Sequence, residues 1–305
     1  METDRSVLIV TGMHRSGTSL TTSLLQSAGV YIGDRLMGEG TGNIKGHFED
    51  LDFVDLHRDA LTAIEVNREG WTRQTDLILT AEYLERARAL IEARSNYAVW
   101  GWKDPRTILF LNCWSKLIPE AKFIFVYRSP WEVVDSLFRR GDRIFKIDPQ
   151  IAVETWISYN QAILKFCRQT EHHWILLAIE DVTQNSQLVV DLVARKFGLD
   201  LRSPQNLYDD SLLKKSSVNL EKARLIQQHF PLAFELYLQL NAIATLSNKT
   251  SVVLNQEFSP LSWFWQNWLD RPVAKVKTIR YWYRLRQSTI SKQRSNYRET
   301  KIDLF

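Results

Sequence analysis

Short apolar runs alternate with amphipathic stretches along the first two hundred residues. Four apolar runs bounded by turn residues predict strands, over 7–10, 98–102, 123–127 and 174–179. The stretch after each run has the periodicity of a helix, over 18–28, 107–116, 131–140 and 186–197. Nearly continuous apolar strands that alternate with helices are typical of a parallel sheet covered on both faces. The pattern therefore predicts an α/β fold of three layers, a central parallel sheet flanked by helices.

The spacing of these elements divides the chain further. About eighty residues separate the first two strands, too many for a simple crossover, and they contain a glycine-rich loop (Gly38, Gly40, Gly42, Gly46) and helical patterns over 50–66 and 81–94. Long helices are predicted over 148–169 and 219–244, and Pro231 should kink or restart the second. We predict a main domain over 1–250 with an insert at 34–97, and a basic, aromatic-rich helical extension over 251–305.

Charge is distributed unevenly along the 305 residues. The formal net charge is +4, but residues 271–305 contain ten Lys/Arg and two acids, a net +8, which leaves −4 for the rest. Cys113 and Cys167 have no metal or redox spacing and are interpreted as reduced thiols. A strand predicted almost at once leaves no room for a signal peptide, and no apolar run reaches the length of a membrane span. We therefore expect a cytoplasmic protein.

The first predicted strand leads into a glycine-bearing loop and a helix. Such a junction directs backbone N–H groups and a helix dipole at an anion. Gly12 and Gly17 have the spacing of a nucleotide phosphate-binding loop, and Ser19 occupies its Ser/Thr position, but Thr18 replaces the lysine. The cation lies inside the loop, at Arg15. The expected phosphate ligands are Gly12, His14, Arg15, Ser16, Gly17, Thr18 and Ser19.

A second strand-to-helix junction follows the third predicted strand. Arg128 lies at the carboxyl end of that strand, where ligands of open parallel sheets bind. Pro130 opens the next helix, and Ser136 follows Arg128 by about two turns. Alone, this pair would more often be an exposed arginine and a helix serine bonded to the backbone. Two such junctions on one sheet favour a second anion site.

Together these motifs resemble the sulfotransferases that use 3′-phosphoadenosine 5′-phosphosulfate (PAPS), of the bacterial carbohydrate type, which have a P-loop NTPase-like fold. A third match is Leu177-Ala-Ile-Glu180-Asp181-Val followed by Phe197-Gly198-Leu199. The resemblance spans roughly residues 6–200 and implies that the first loop binds the 5′-phosphosulfate while Arg128 and Ser136 bind the 3′-phosphate. It also implies transfer without a metal, consistent with the missing loop lysine, since kinases need lysine and Mg²⁺ for the γ-phosphate.

The acceptor side is predicted from two further segments. Trp102-Lys103-Asp104-Pro105-Arg106 resembles the Lys-Asp-Pro motif of tyrosylprotein and many bacterial sulfotransferases, which implies that Lys103 stabilises the oxygen bridging sulfur and the leaving phosphate. Gly46-His47-Phe48-Glu49-Asp50 in the insert resembles the Gly-Tyr/His-Phe-Glu stretch of the carbohydrate enzymes. Glu49 is the first choice for the base that takes the acceptor's proton, and His47 is the second.

Each of these residues also has a plainer interpretation. Lys103 would then be a surface charge, Asp104 the N-cap of a helix, and Glu49 or Asp50 the cap of the first inserted helix. Trp71, Trp100 and Trp102 either stack on an acceptor or belong to the core. Two other functions remain open, a P-loop kinase or NTPase with a degenerate loop and a nucleotide-binding adaptor without transfer activity.

The tail interleaves cations and rings, as in Arg280-Tyr-Trp-Tyr-Arg284. Over 263–298 it is a candidate contact for the inner, anionic surface of a membrane, for an anionic glycan or for a partner protein. The plainer alternative is a basic helix packed on the domain through its tryptophans. No nucleic-acid recognition motif accompanies the charge, so nucleic acid is not expected. The expected acceptor is a hydroxyl of a carbohydrate or glycoconjugate, as the resemblance implies.

Overall fold

A four-stranded parallel sheet lies at the centre of the chain. The computed structural model describes residues 5–38, 46–170, 173–204, 220–246 and 280–289. The strands are β1 (Ser6–Thr11), β2 (Val99–Lys103), β3 (Lys122–Tyr127) and β4 (Trp174–Ala178). They lie in the order β2-β1-β3-β4, and every neighbouring pair is parallel. The chain therefore crosses to one side after β1 and to the other after β3, which creates a switch point between these strands.

The helices of the described residues surround this sheet. They are α1 (Thr18–Ser27), α2 (Leu51–Ala63), α3 (Ala81–Ala93), α4 (Leu111–Leu117), α5 (Pro130–Arg140), α6 (Arg143–Ile147), α7 (Gln150–Gln169), α8 (Ile179–Gln184), α9 (Ser186–Phe197), α10 (Leu220–His229), α11 (Pro231–Ile243) and α12 (280–289). A 3₁₀ helix, Pro105–Phe110, links β2 to α4. None of the described helices is long and apolar enough to cross a membrane.

Alternate residues of each strand pack into two separate hydrophobic cores, one on each face of the sheet. On β1, Leu8 and Val10 pack with α1 and α9, while Ile9 lies among the aromatic residues of the opposite face. That face includes Trp100 and Trp102 of β2, which are 2% and 0% exposed. Both faces of the sheet are thus covered, which confirms the predicted three-layer α/β fold. The two tryptophans belong to the core, so the idea that they stack on an acceptor is wrong for this structure.

The helices depart from the sequence pattern after β2 and in two short helices, and they follow it at Pro231. The first turns after β2 are 3₁₀, because Pro105 and the cap at Asp104 direct the chain before α4 begins. Two short helices, α6 and α8, were not predicted, since five or six residues give little periodicity. At Pro231 the predicted restart is confirmed, because α10 ends at His229 and α11 starts at the proline.

The described part of the tail, α12, packs directly on the main domain. Trp282 is 1% exposed, lies against Phe138 of α5, and donates its indole N–H to Asp135 at 3.2 Å. Lys222 of α10 bonds to the same carboxylate. The plainer interpretation of the tail is therefore correct for α12. The predicted boundary at 250 and most of 263–298 lie outside the described residues.

Candidate active site

The predicted functional residues meet at one edge of the sheet. The loop 12–17 follows β1, Asp104 follows β2 and Arg128 follows β3, so all three segments lie at the carboxyl ends of neighbouring strands. The loop and Arg128 flank the switch point between β1 and β3, which is where open α/β sheets bind their ligands. The parallel topology thus brings together residues more than a hundred positions apart.

The loop after β1 has a tightly constrained backbone. Gly17 adopts a φ of 96°, and a Cβ there would lie 2.0 Å from Ile179 Cδ1. Gly12 is required by close packing, because a Cβ would lie 2.1 Å from the Val126 carbonyl oxygen of β3. Arg15 itself has a φ of 70°, a conformation that costs energy outside glycine and is common at functional sites. The loop is therefore held in one shape by its contacts with the sheet.

Arg15 connects the two predicted phosphate sites. Its Nε donates a hydrogen bond to Ser136 Oγ of α5 at 2.9 Å. Burial, together with the positive charges of Arg140, Arg139 and Arg128, lowers the pKa of Arg15 to about 10. The three neighbouring arginines add positive charge around Arg15, which suits an anionic ligand.

Arg128 is buried between β3 and α5, and its charge is partly compensated. It lies 3.2 Å from Glu132 Oε1, and Ser129 Oγ donates to Glu132 Oε2 at 2.7 Å. Trp156 fixes the backbone by donating to the Arg128 carbonyl at 3.1 Å. The Nε of Arg128 has no hydrogen-bond partner. A buried donor without a partner is uncommon, and here it belongs to the group expected to hold the 3′-phosphate.

The remaining donor-side residues lie in or beside the loop. Ser16 is fully buried and its hydroxyl has no hydrogen-bond partner in the protein, as expected of a group that binds a ligand. Thr18 is buried at the first position of α1, and Ser19 Oγ donates to the His47 carbonyl at 3.0 Å. Ser19 therefore links the donor loop to the insert. These residues fit an anionic nucleotide, whose binding remains a prediction.

The insert brings Glu49 against Lys103. Residues 35–37 run antiparallel to 47–51, joined by bonds such as Met37 N–H to the Glu49 carbonyl at 2.7 Å. The Lys103 ammonium donates to Glu49 Oε1 at 2.7 Å, and both side chains are more than nine-tenths buried. Lys103 is thus no surface charge, and Glu49 does not cap α2. The cap is Asp50, which accepts from the Asp52 N–H and pairs with Arg94 at 2.6 Å.

A buried network of Arg106, Asp104 and His57 adjoins the Glu49–Lys103 pair. Arg106 reaches Glu49 Oε2 at 3.4 Å and the Asp104 carboxylate at 3.0 Å. Burial alone would raise the pKa of Asp104, but the Arg106 charge and a 2.9 Å hydrogen bond from His57 Nδ1 hold it well below its usual range. Trp114 donates to His57 Nε2 at 3.0 Å, so the proton of His57 is on Nδ1. Asp104 also caps the 3₁₀ helix, as the plainer interpretation expected.

Two further histidines belong to the candidate site, His47 in the insert and His14 in the loop after β1. His47 is half-buried, and burial lowers its pKa despite the nearby Glu49 charge. His14 is 8% exposed, and its ring contacts that of Trp71 at a centroid distance of 4.5 Å. Among the residues described, no group of three or more His, Cys, Asp or Glu could hold a metal, and the prediction of metal-free transfer is not tested.

The sequence did not reveal the residues that support the site. Arg106 lies in the recognised segment, but its bond to Glu49 depends on how the insert folds back. His57 and Trp114 look like ordinary members of apolar helix faces in the sequence. Trp71 belongs to the buried core, which was the plainer alternative for it, and its ring contacts His14 while Arg140 lies 5.5 Å from its ring centre.

Comparison with known proteins identifies the family. The model of the sulfotransferase family matches residues 8–204, about two thirds of the chain. The chain therefore belongs to the sulfotransferase family, and it is a transferase by membership. No curated protein matches the sequence.

Solved structures of similar proteins include two sulfotransferases. The sulfotransferase domain of the olefin synthase from Synechococcus PCC 7002 is 16% identical, with 92% of this chain and 93% of that chain covered, at a TM-score of 0.41. Sulfotransferase STF1 from Mycobacterium tuberculosis H37Rv is 13% identical, with 78% and 77% covered, also at 0.41.

Proposed function

We propose that this protein transfers a sulfuryl group from PAPS to an acceptor hydroxyl, in line and without a metal. The acceptor is a carbohydrate or glycoconjugate, as the resemblance implies. The observation that carries the proposal is the bond from Arg15 to Ser136, because it joins the loop after β1 to the helix after β3 in one cationic surface. A nucleotide with phosphates at both its 5′ and 3′ positions matches that pair of sites.

The donor side supplies positive charge and hydrogen-bond donors. Arg15, Ser16 and the first turn of α1 would bind the 5′-phosphosulfate, while Arg128 and Ser136 would bind the 3′-phosphate. The buried Ser16 hydroxyl and Arg128 Nε, which lack partners in the protein, are suitable groups for these oxygens. Bound PAPS supplies the sulfuryl group and the phosphate on which charge develops as the sulfur–oxygen bond breaks.

The acceptor side supplies a cation and a proton acceptor. Lys103 would stabilise the oxygen that bridges sulfur and the departing phosphate, with Glu49 holding its ammonium in place. The sequence offers Glu49 and His47 for the acceptor's proton. Loss of one preorganised charge-stabilising group typically costs about 10²- to 10³-fold in turnover. We therefore expect Lys103→Ala to reduce turnover by about 10²-fold or more.

The test is incubation of the protein with sulfate-labelled PAPS and an extract of the source cells, followed by identification of the labelled product. A labelled glycan that is absent with Lys103→Ala supports the proposal. The matched control is Lys116→Ala, an exposed lysine of α4, which should behave as wild type. Mg²⁺-dependent ATP turnover would instead favour a kinase or NTPase. PAPS binding without transfer to any acceptor in the extract would favour the adaptor.

A further inference from the structure

His14 is a buried side chain with an unused hydrogen-bonding atom. It belongs to the loop between β1 and α1, directly before Arg15, and is 8% exposed. Its ring lies 4.5 Å from that of Trp71 and 6.2 Å from that of Tyr159, measured between centroids. The Nε2 atom has no hydrogen-bond partner. Buried polar atoms nearly always form hydrogen bonds, so an unpartnered nitrogen indicates a position where a ligand can bind.

The charges that face His14 keep it neutral. Burial and the cations Arg106, Arg140 and Lys103 lower the pKa of His14 well below its ordinary 6.5, and the opposing effect of Asp104 is smaller. Lys103 ends β2, Asp104 and Arg106 follow it, and Arg140 ends α5. Near pH 7 the imidazole therefore has a nitrogen lone pair that can take a proton.

Glu49 lies in a different environment. Its Oε1 accepts from Lys103 at 2.7 Å and its Oε2 from Arg106 at 3.4 Å. If Glu49 took a proton, it would lose the negative charge that pairs with both buried cations. Lys103 would lose the carboxylate that pairs with it, which is costly for a buried cation, while Arg106 would keep its pair with Asp104. The carboxylate is thus better suited to hold Lys103 than to accept the acceptor's proton.

We propose that His14 is a catalytic residue that binds the acceptor hydroxyl and takes its proton, while Glu49 fixes Lys103 and Arg106. This inference rests on the proposed sulfuryl transfer. The acceptor oxygen forms a bond to sulfur, and the bond between sulfur and the 5′-phosphate oxygen breaks. The electron pair of that bond stays on the phosphate oxygen, beside Lys103. The hydroxyl proton moves to His14, and the products are the sulfate ester and adenosine 3′,5′-bisphosphate.

The kinetic test uses water as the acceptor, because the natural acceptor is unidentified. Release of adenosine 3′,5′-bisphosphate from PAPS is measured from pH 5 to pH 9 for the wild type, His14→Gln and Glu49→Gln. Glutamine can hydrogen-bond from the Nε2 position but cannot serve as a base. We expect His14→Gln to lower turnover by about 10²-fold, as is typical of general-base catalysis, and to abolish the acidic limb of the pH profile. Glu49→Gln should retain that limb.

Two controls show that His14→Gln acts on proton transfer. Its affinity for adenosine 3′,5′-bisphosphate, measured by calorimetry, should stay within about threefold of wild type, a small difference in binding free energy. His173→Gln, an exposed matched substitution, should leave turnover unchanged. Wild-type turnover in His14→Gln, or an acidic limb that disappears only in Glu49→Gln, would overturn the inference. A parallel loss of nucleotide affinity would overturn it by giving His14 a donor-binding role.

A readout independent of activity is the protonation of His14 in the nucleotide complex. Nitrogen-15 NMR of the six histidines, assigned with His14→Gln, should show His14 neutral at pH 7 and titrating below 6.5. A charged His14 at pH 7 would refute the inference even if turnover with water were too slow to measure. Failure of the wild type to bind the nucleotide or to consume PAPS would instead refute the proposed function.

Discussion

Two buried histidines on the same side of the sheet are bonded in opposite ways. His57 of α2 is fully buried and uses both ring nitrogens, one with Asp104 and one with Trp114. His14, also buried at 8% exposure, leaves Nε2 without a partner and has three cations nearby. Burial alone therefore does not distinguish the two histidines, whereas the number of bonded ring nitrogens does. On the proposed assignment, this number separates the structural histidine from the catalytic one.

The largest expected effect is on folding and concerns His57. Replacing His57 with Ala removes one of the two hydrogen bonds that Asp104 Oδ2 accepts, since Arg106 remains, and leaves the buried Trp114 indole N–H without a partner. Removing one member of a buried charged network typically costs about 3 kcal/mol or more. We expect the free energy of unfolding, measured by urea denaturation, to fall by about 3 kcal/mol.

His14→Gln provides the matched comparison for that experiment. Because Nε2 of His14 makes no bond in the protein, its loss should change the free energy of unfolding by less than about 1 kcal/mol. Equal destabilisation by the two substitutions would contradict the distinction between the histidines. It would mean that His14 also serves mainly to hold the fold.

The next effect is on nucleotide binding through Arg128. Removing a charged hydrogen-bond donor from a phosphate typically costs about 1.5–3 kcal/mol, or roughly 10- to 100-fold in affinity. We expect Arg128→Ala to weaken binding of adenosine 3′,5′-bisphosphate by that factor, measured by calorimetry. Binding of adenosine 5′-phosphosulfate, which lacks the 3′-phosphate, should hardly change.

The control for Arg128 is Arg195→Ala, since Arg195 is exposed on α9, outside the site. It should leave both affinities as in the wild type. Equal losses for the two nucleotides in Arg128→Ala would remove Arg128 from the role of 3′-phosphate ligand.

Much of the fold, but less of the site, could be predicted from the sequence. The strands follow from local apolar runs, and the loop after β1 from its glycine spacing. The bond from Arg106 to Glu49 joins residues 57 positions apart, and no local pattern encodes it. His57 lies on an apolar helix face, which the sequence pattern assigns to the core. Its hydrogen-bond partner Trp114 is 57 residues further along the chain. Long-range side-chain contacts of this kind depend on packing, which periodicity does not report.

The smallest expected effect concerns a second contrast, between the paired carboxylate of Asp104 and the carboxylate of Glu180 after β4. Burial and the negative charge of Glu132 raise the pKa of Glu180 from 4.5 to about 7. Between these pH values the folded protein binds more protons than the unfolded chain, so the free energy of unfolding falls as pH rises from about 4.5 to 7.

In Glu180→Gln this decline should be weaker, as measured by urea unfolding at pH 5, 6, 7 and 8. Glu92→Gln, an exposed control on α3, should follow the wild type. An unchanged pH dependence in Glu180→Gln would mean that Glu180 is already ionised in the folded protein, as Asp104 is.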